Sequence, residues 1–130
     1  MREIKFRGYD EDREEWRFGG LDRDLEQKRY YITDEYEGIG REVLEDTIGQ
    51  FTGLHDKNGK EIYEGDIAKV EKIDLAQIIW DEDRMAWGIK PINDFYFDSP
   101  LLADNTDLEL EIIGNIYENP ELLERSSNGD

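Results

Sequence analysis

The chain has 130 residues, 34 acidic against 16 basic side chains for a net charge of −18 at pH 7, a single histidine and no cysteine. That inventory excludes disulfides, thiol nucleophiles, iron–sulfur clusters and thiolate zinc sites, and with His55 alone it excludes a multi-histidine metal site within one chain. No apolar run approaches the ~18–20 residues of a membrane span, the first residues carry no apolar signal-peptide core, and a pI near 4.3 argues against gripping a phosphate backbone, whose affinity rests on Lys and Arg displacing counterions.

The length fits one domain or two small subdomains. A 37% apolar fraction with fifteen aromatics (three Trp, seven Tyr, five Phe) furnishes a core, a thin one beside 38% charged residues. Period-two alternation dominates and predicts strands. Ile4 and Phe6 alternate with Lys5 and Arg7. Trp16 and Phe18 repeat the pattern after the charged stretch 10–15, which reads as a hairpin turn, with Gly19-Gly20 as punctuation. Leu21 and Leu25 share a face only at helical spacing, so 21–28 reads as a helical turn or a polar loop, and Tyr30 with Ile32, or Tyr31 with Thr33, suggests another short strand.

Ile48, Phe51 and Leu54 precede Asp56-Lys57-Asn58-Gly59, where the Asn-Gly pair suits the positive φ of a tight hairpin with a strand on each side. Gly65 marks a kink before the strand 67–70; Asp56, Asn58, Gly59 and Gly65 are thus the structural turn residues. Ile78, Ile79 and Trp80 form the next strand, and Met85, Trp87 and Ile89 alternate after the turn 81–84. Ser99-Pro100 and Asn105 mark a long loop over 98–107. Leu108, Leu110 and Ile112 open a last strand reaching Ile116. Asn119 then caps a short helix with Pro120 at its first position, and 126–130 reads as a flexible tail. Roughly eight short strands favour a twisted sheet closed into small barrels.

Three stretches together resemble the YopX family of small phage and prophage proteins: REIKFRG at 2–8 with EEWRFGG at 14–20, TIGQFTGLHDKNGKEIYEGDI at 47–67, and IIGNIYENPELL at 112–123. The resemblance implies a mainly β fold with a C-terminal SH3-like barrel, a phage or prophage origin, and no catalytic residues to carry over. The expected organisation is a β-rich N-terminal segment, 1–60, continuous with an SH3-like barrel and short helix, 61–125.

Each suggestive motif has an ordinary explanation. Aligned on Gly59, an EF-hand would place its first ligand on Leu54 and its last on Gly65, so the block is a turn rather than a calcium loop. His55 is the one side chain with an unperturbed pKa near neutrality, but no orienting acid or oxyanion donor accompanies it, and it reads as a solvated turn residue. The triplets Asp10-Glu11-Asp12 and Asp81-Glu82-Asp83 offer hard oxygen ligands for Mg²⁺ or Ca²⁺, yet both fall in turns where acidic side chains face solvent. Gly38-Ile39-Gly40 lacks the third glycine and the βαβ unit of a dinucleotide fingerprint. Trp16, Trp80 and Trp87 read as core and barrel-wall residues, because acidic residues outnumber basic ones around them.

No catalytic residue, metal ligand or cofactor is expected. The expected function is that of a non-enzymatic accessory protein in the cytoplasm of a bacterial host, phage or prophage encoded, binding a phage or host protein through an acidic surface. No direct nucleic-acid or membrane binding is expected, and a homo-oligomer is compatible. Two other readings are a metal-dependent enzyme on phosphate esters using clustered carboxylates, and a DNA mimic whose carboxylates form rows spaced like phosphates.

Overall fold

Alternation of apolar and charged residues becomes antiparallel pairing along most of the chain. The computed structural model describes residues 3–71, 74–92, 100–103 and 110–124, and separates into two units, Met1–Gly53 and Leu54–Asp130.

In the first unit, β1 (Phe6–Asp10), β2 (Glu15–Asp24), β3 (Arg29–Thr33) and β4 (Gly40–Val43) follow one another as hairpins, and β5 (Gly49–His55) returns beside β1, in the order β4-β3-β2-β1-β5. The charged stretch after Asp10 is the β1–β2 turn, as its composition predicts. The segment 21–28 is neither helix nor loop throughout. β2 runs to Asp24 with Leu21 opposite Ile32, and the Asp24 carboxylate accepts the amides of Glu26 and Gln27, a local bond that favours a turn over a helix. Gly19-Gly20 likewise lies inside β2, because a side chain at Gly19 would collide with the Thr33 carbonyl and the strands pass closely there. Ile32, Val43 and Phe51 are buried, and Gly8 makes room for Val43, whose Cγ2 would stand 2.7 Å from any Cβ added at position 8. A 3₁₀ turn, Glu45–Thr47, ties onto β1: the Leu44 amide donates to the Tyr9 carbonyl, and the Tyr9 amide donates to Thr47 Oγ1 at 2.8 Å.

In the second unit, the end of β5 turns into β6 (Glu61–Tyr63). β7 (Asp66–Val70), β8 (Asp74–Asp81), β9 (Ala86–Pro91) and β10 (Glu111–Asn115) form an antiparallel sheet in the order β10-β7-β8-β9. Gly65 does more than kink a strand, since the turn at 64–65 separates β6 from β7. Leu102 enters the core because Ile89 N–H donates to the Pro100 carbonyl and Leu102 N–H to the Trp87 carbonyl, laying 100–102 along β9. There it joins Ile62, Ala68, Val70, Ala76, Ile78, Ile89, Leu110 and Ile112. Met85 is a turn residue at φ 54°, mostly exposed, so the alternation it began is carried by Trp87 and Ile89 alone. β10 starts at Glu111 and bulges between Ile112 and Gly114; Leu108, most of the loop 98–107 and the tail 126–130 lie outside the described residues. One turn of helix follows, α1 (Glu121–Glu124). Asn119 does not cap it as a side chain: its Oδ1 accepts the Asn115 amide at 3.2 Å, while its backbone carbonyl accepts from Leu122.

The fold is mainly β. Among the described residues no helix is long and apolar enough to cross a membrane.

Candidate functional site

The sequence-predicted turn residues form an anchored corner of the second unit. Asp56 N–H donates to the Lys60 carbonyl at 2.8 Å and Gly59 N–H to the Asp56 carbonyl at 3.0 Å, so three residues span the loop and only Gly59, at φ 82°, takes the left-handed conformation. The two-residue Asn-Gly turn is therefore replaced by a wider one, because the Asp56 carboxylate organises it. Its Oδ1 accepts the amides of Asn58 and Lys60, each at 2.9 Å, and its Oδ2 accepts the Ile112 amide of β10 at 3.0 Å. Burial pushes this carboxyl up, but the amides of Ile112, Lys60 and Asn58 and the Lys60 charge outweigh burial and hold it below the usual carboxylate range. With three amides already on its two oxygens, Asp56 is a poor metal ligand. Lys57 N–H donates to the carbonyl of Leu110, the residue before β10, so the corner grips the start of the last strand at two points. Gly65, at φ 92°, donates to the Ile78 carbonyl and accepts from Ile116, and Asp66 Oδ2 accepts the Tyr63 amide at 2.7 Å. His55 is exposed.

The acidic triplets are less alike than their sequences. Asp10 is 1% exposed rather than solvent-facing. Its Oδ2 accepts Arg17 Nε at 3.1 Å and Nη2 at 3.0 Å, and its Oδ1 accepts the Arg13 amide that closes the turn. Burial raises this carboxyl, yet the Arg13 amide and the Arg17 guanidinium together hold it below its ordinary value. As the last residue of β1, its side chain points inward just where Arg17 of β2 arrives, a cross-strand pairing that sequence spacing alone does not display. Asp81 caps its own turn, accepting the amides of Asp83 and Arg84. Among the described residues no three His, Asp or Glu side chains gather in a metal-binding group. The tryptophans are not fully buried either. Trp16 stands edge-on to Tyr9 at 5.4 Å under the Arg7 guanidinium, and Trp80, 38% exposed, meets Trp87 edge-on at 4.9 Å where the core face of β8 and β9 runs out past the core.

A feature missed by pattern reading lies in the first unit, where β1 begins and β3 ends. A cavity of about 420 Å³ opens there, with Phe18 and Gly20 on one face of β2, Ile4 and Lys5 before β1, and Tyr36 in the β3–β4 connection. Glu3, Asp34 and Glu35 also line it, and the Lys5 ammonium pairs with Glu3 at 3.6 Å. The wall is ordered: Asp34 Oδ1 accepts the Tyr36 amide at 2.6 Å and the Glu37 amide, Gly38 N–H donates to the Asp34 carbonyl, and Arg41 grips Glu37 through two nitrogens at 2.8 and 3.0 Å. This fixed turn leaves Tyr36 91% exposed, beside Ile4 at 62% and Phe18 at 43%.

Compared with known proteins, residues 5–124 match the family described as YopX protein. The chain belongs to the YopX family. Among solved structures, the crystal structure of protein EF1440 from Enterococcus faecalis is similar, at 24% identity and a TM-score of 0.56 over 95% of this chain and 99% of that one. At that identity the likeness speaks to the fold alone. No curated protein matches the chain.

In this YopX chain, the sequence blocks that carried the resemblance fall on β1 and β2, on β5 through β7 with both anchored turns, and on β10 with α1. The cavity touches the first of them alone. Phe18, Gly19 and Gly20 lie inside the first block, whereas Thr33 to Tyr36 lie between the first block and the second. A Phe beside two glycines in a strand was the available signal, since a strand that presents a ring next to bare backbone forms one wall of a hollow.

Proposed function

We propose that this YopX protein is a non-enzymatic accessory protein of a phage or prophage, working in the cytoplasm of the bacterial host by binding another protein through its acidic surface, with no cofactor and no direct contact to nucleic acid. The observation that carries this reading is the charge. Against a net −18, five of the cations are held in ion pairs with neighbouring carboxylates: Arg17 with Asp10 and Glu15, Arg41 with Glu37, Arg29 with Glu42, Lys57 with Glu111, Arg84 with Asp81. Their charge is neutralised locally and leaves the excess carboxylates to set the outward field, which speeds encounter with cationic partners and repels polyanions.

We read the second unit as an SH3-like barrel. The strand order β10-β7-β8-β9, the segment 100–102 lying along β9, and the bulge that bends β10 support that reading.

The test uses the full chain as immobilised bait in bacterial lysate, followed by direct titration of the purified partner at 50 and 300 mM NaCl. A discrete partner whose affinity falls at the higher salt supports the reading. Turnover of a phosphate ester dependent on Mg²⁺ or Mn²⁺ overturns it in favour of an enzyme.

A further inference from the structure

Resting on the docking reading above, we propose that the cavity of the first unit receives an extended cationic segment of a partner protein, seating one apolar side chain against Phe18 and Tyr36 while flanking Lys or Arg residues meet Glu3, Asp34 and Glu35. Three features converge on this occupant.

The volume is the first. About 420 Å³ falls toward the lower end of the ~300–1,000 Å³ of pockets that bury small ligands, room for a large side chain but not for a packed helix or sheet.

The apolar exposure is the second. Ile4, Phe18 and Tyr36 lie around a single hollow, and Tyr36 is held outward by an Asx turn and the Arg41–Glu37 fork. The backbone that carries the ring is held before binding, so the turn has little ordering entropy left to lose on binding.

The charge is the third. Three carboxylates face one ammonium, itself paired with Glu3, so the rim repels a second copy of this −18 chain and any nucleic acid but complements Lys and Arg. Guanidinium or ammonium groups can also lie over the aromatic faces.

Gly20 makes the inference testable without unfolding the protein. A Cβ built there meets nothing within 4 Å, and position 20 shares its strand face with Phe18, so a leucine would enter the cavity. The probe is a fluorescein-labelled Lys-Lys-Phe-Lys-Arg-Lys peptide, read by anisotropy against the full-length protein at 50 mM NaCl, with a second peptide carrying Ser for Phe. The Phe peptide is expected to bind at least fivefold more tightly than the Ser peptide. Gly20→Leu and, independently, Tyr36→Ser should each weaken the Phe peptide at least fivefold, with melting temperatures unchanged. Glu35→Lys should weaken it more than Asp83→Lys, the same charge change on the β8–β9 turn of the second unit. Equal binding of both peptides, unaffected by Gly20→Leu and Tyr36→Ser, overturns the cavity while leaving diffuse acidic docking intact. Absence of binding by either peptide overturns the cavity and counts against acidic docking as well.

Discussion

Asp56→Asn removes one charge and changes almost no volume. The Asn side-chain oxygen can still accept from Asn58 and Lys60, but its NH₂ then faces the Ile112 N–H, donor against donor, where Asp56 Oδ2 now accepts at 3.0 Å. A buried amide left without an acceptor costs about 1–3 kcal/mol, and the remaining bonds lose the extra strength that the ionised acceptor supplied. We expect a total near 2–4 kcal/mol, a large share of the ~5–15 kcal/mol typical of a domain. For a chain this size that corresponds to a fall in Tm of roughly 10 °C. The pH dependence has a definite sign. The folded carboxyl titrates below its ordinary value of 3.8, so its stabilisation is fully present above the unfolded pKa and is lost as pH falls through the folded one. The gap in Tm between wild type and Asp56→Asn should therefore hold from pH 7 to about 5 and narrow below about 4, while the many other carboxylates, common to both proteins, largely cancel. Circular dichroism melts at pH 7, 5, 4 and 3 measure it. A variant melting within about 2 °C of wild type at pH 7, or a gap undiminished at pH 3, would refute the role given to this carboxylate.

Gly59→Val places a β-branched side chain at φ 82° and should lower stability by more than about 1 kcal/mol, seen as a lower urea midpoint; an unchanged midpoint contradicts the turn geometry. Truncation after residue 107 removes Leu110, Ile112 and the amide that donates to the Asp56 carboxylate, and should abolish a cooperative melt, whereas truncation after residue 125 should leave it intact. Arg17→Met should cost about 3–5 kcal/mol by leaving the Asp10 carboxylate buried beside an apolar chain, and restoring partial stability with Asp10→Asn in the same molecule would show the cost lies in the pair. Duplex DNA at physiological salt should give no mobility shift with micromolar protein; a salt-sensitive shift would contradict the electrostatic argument.

The alternating stretches were legible because a strand sends successive side chains to opposite faces: Trp16 to Phe18, Tyr30 to Ile32 and Trp87 to Ile89 all lie in strands. What escaped is decided across strands rather than along them. Leu21 and Leu25 suggested a helix because four-residue spacing is ambiguous over so few residues; pairing with Ile32 made Leu21 a strand residue, and Asp24 ended the strand with its own side chain. Asp10 looked like turn filler, but Arg17 reaches it diagonally from β2 and neutralises it. Asp56 was recognised as a turn residue, but its grip on Ile112 joins positions 56 residues apart, which local spacing does not encode. The cavity needs the residues before β1, β2 and the end of β3 with its following turn at once, and its one local trace was Phe18 beside Gly19-Gly20.

Docking through the acidic surface is tested most directly by titrating the purified partner into the full-length protein at 50 and 300 mM NaCl by calorimetry. Charge-led recognition predicts a discrete stoichiometry and a Kd at least tenfold weaker at the higher salt, because screening shortens the reach of exposed carboxylates. An affinity that is the same at both salts would contradict it.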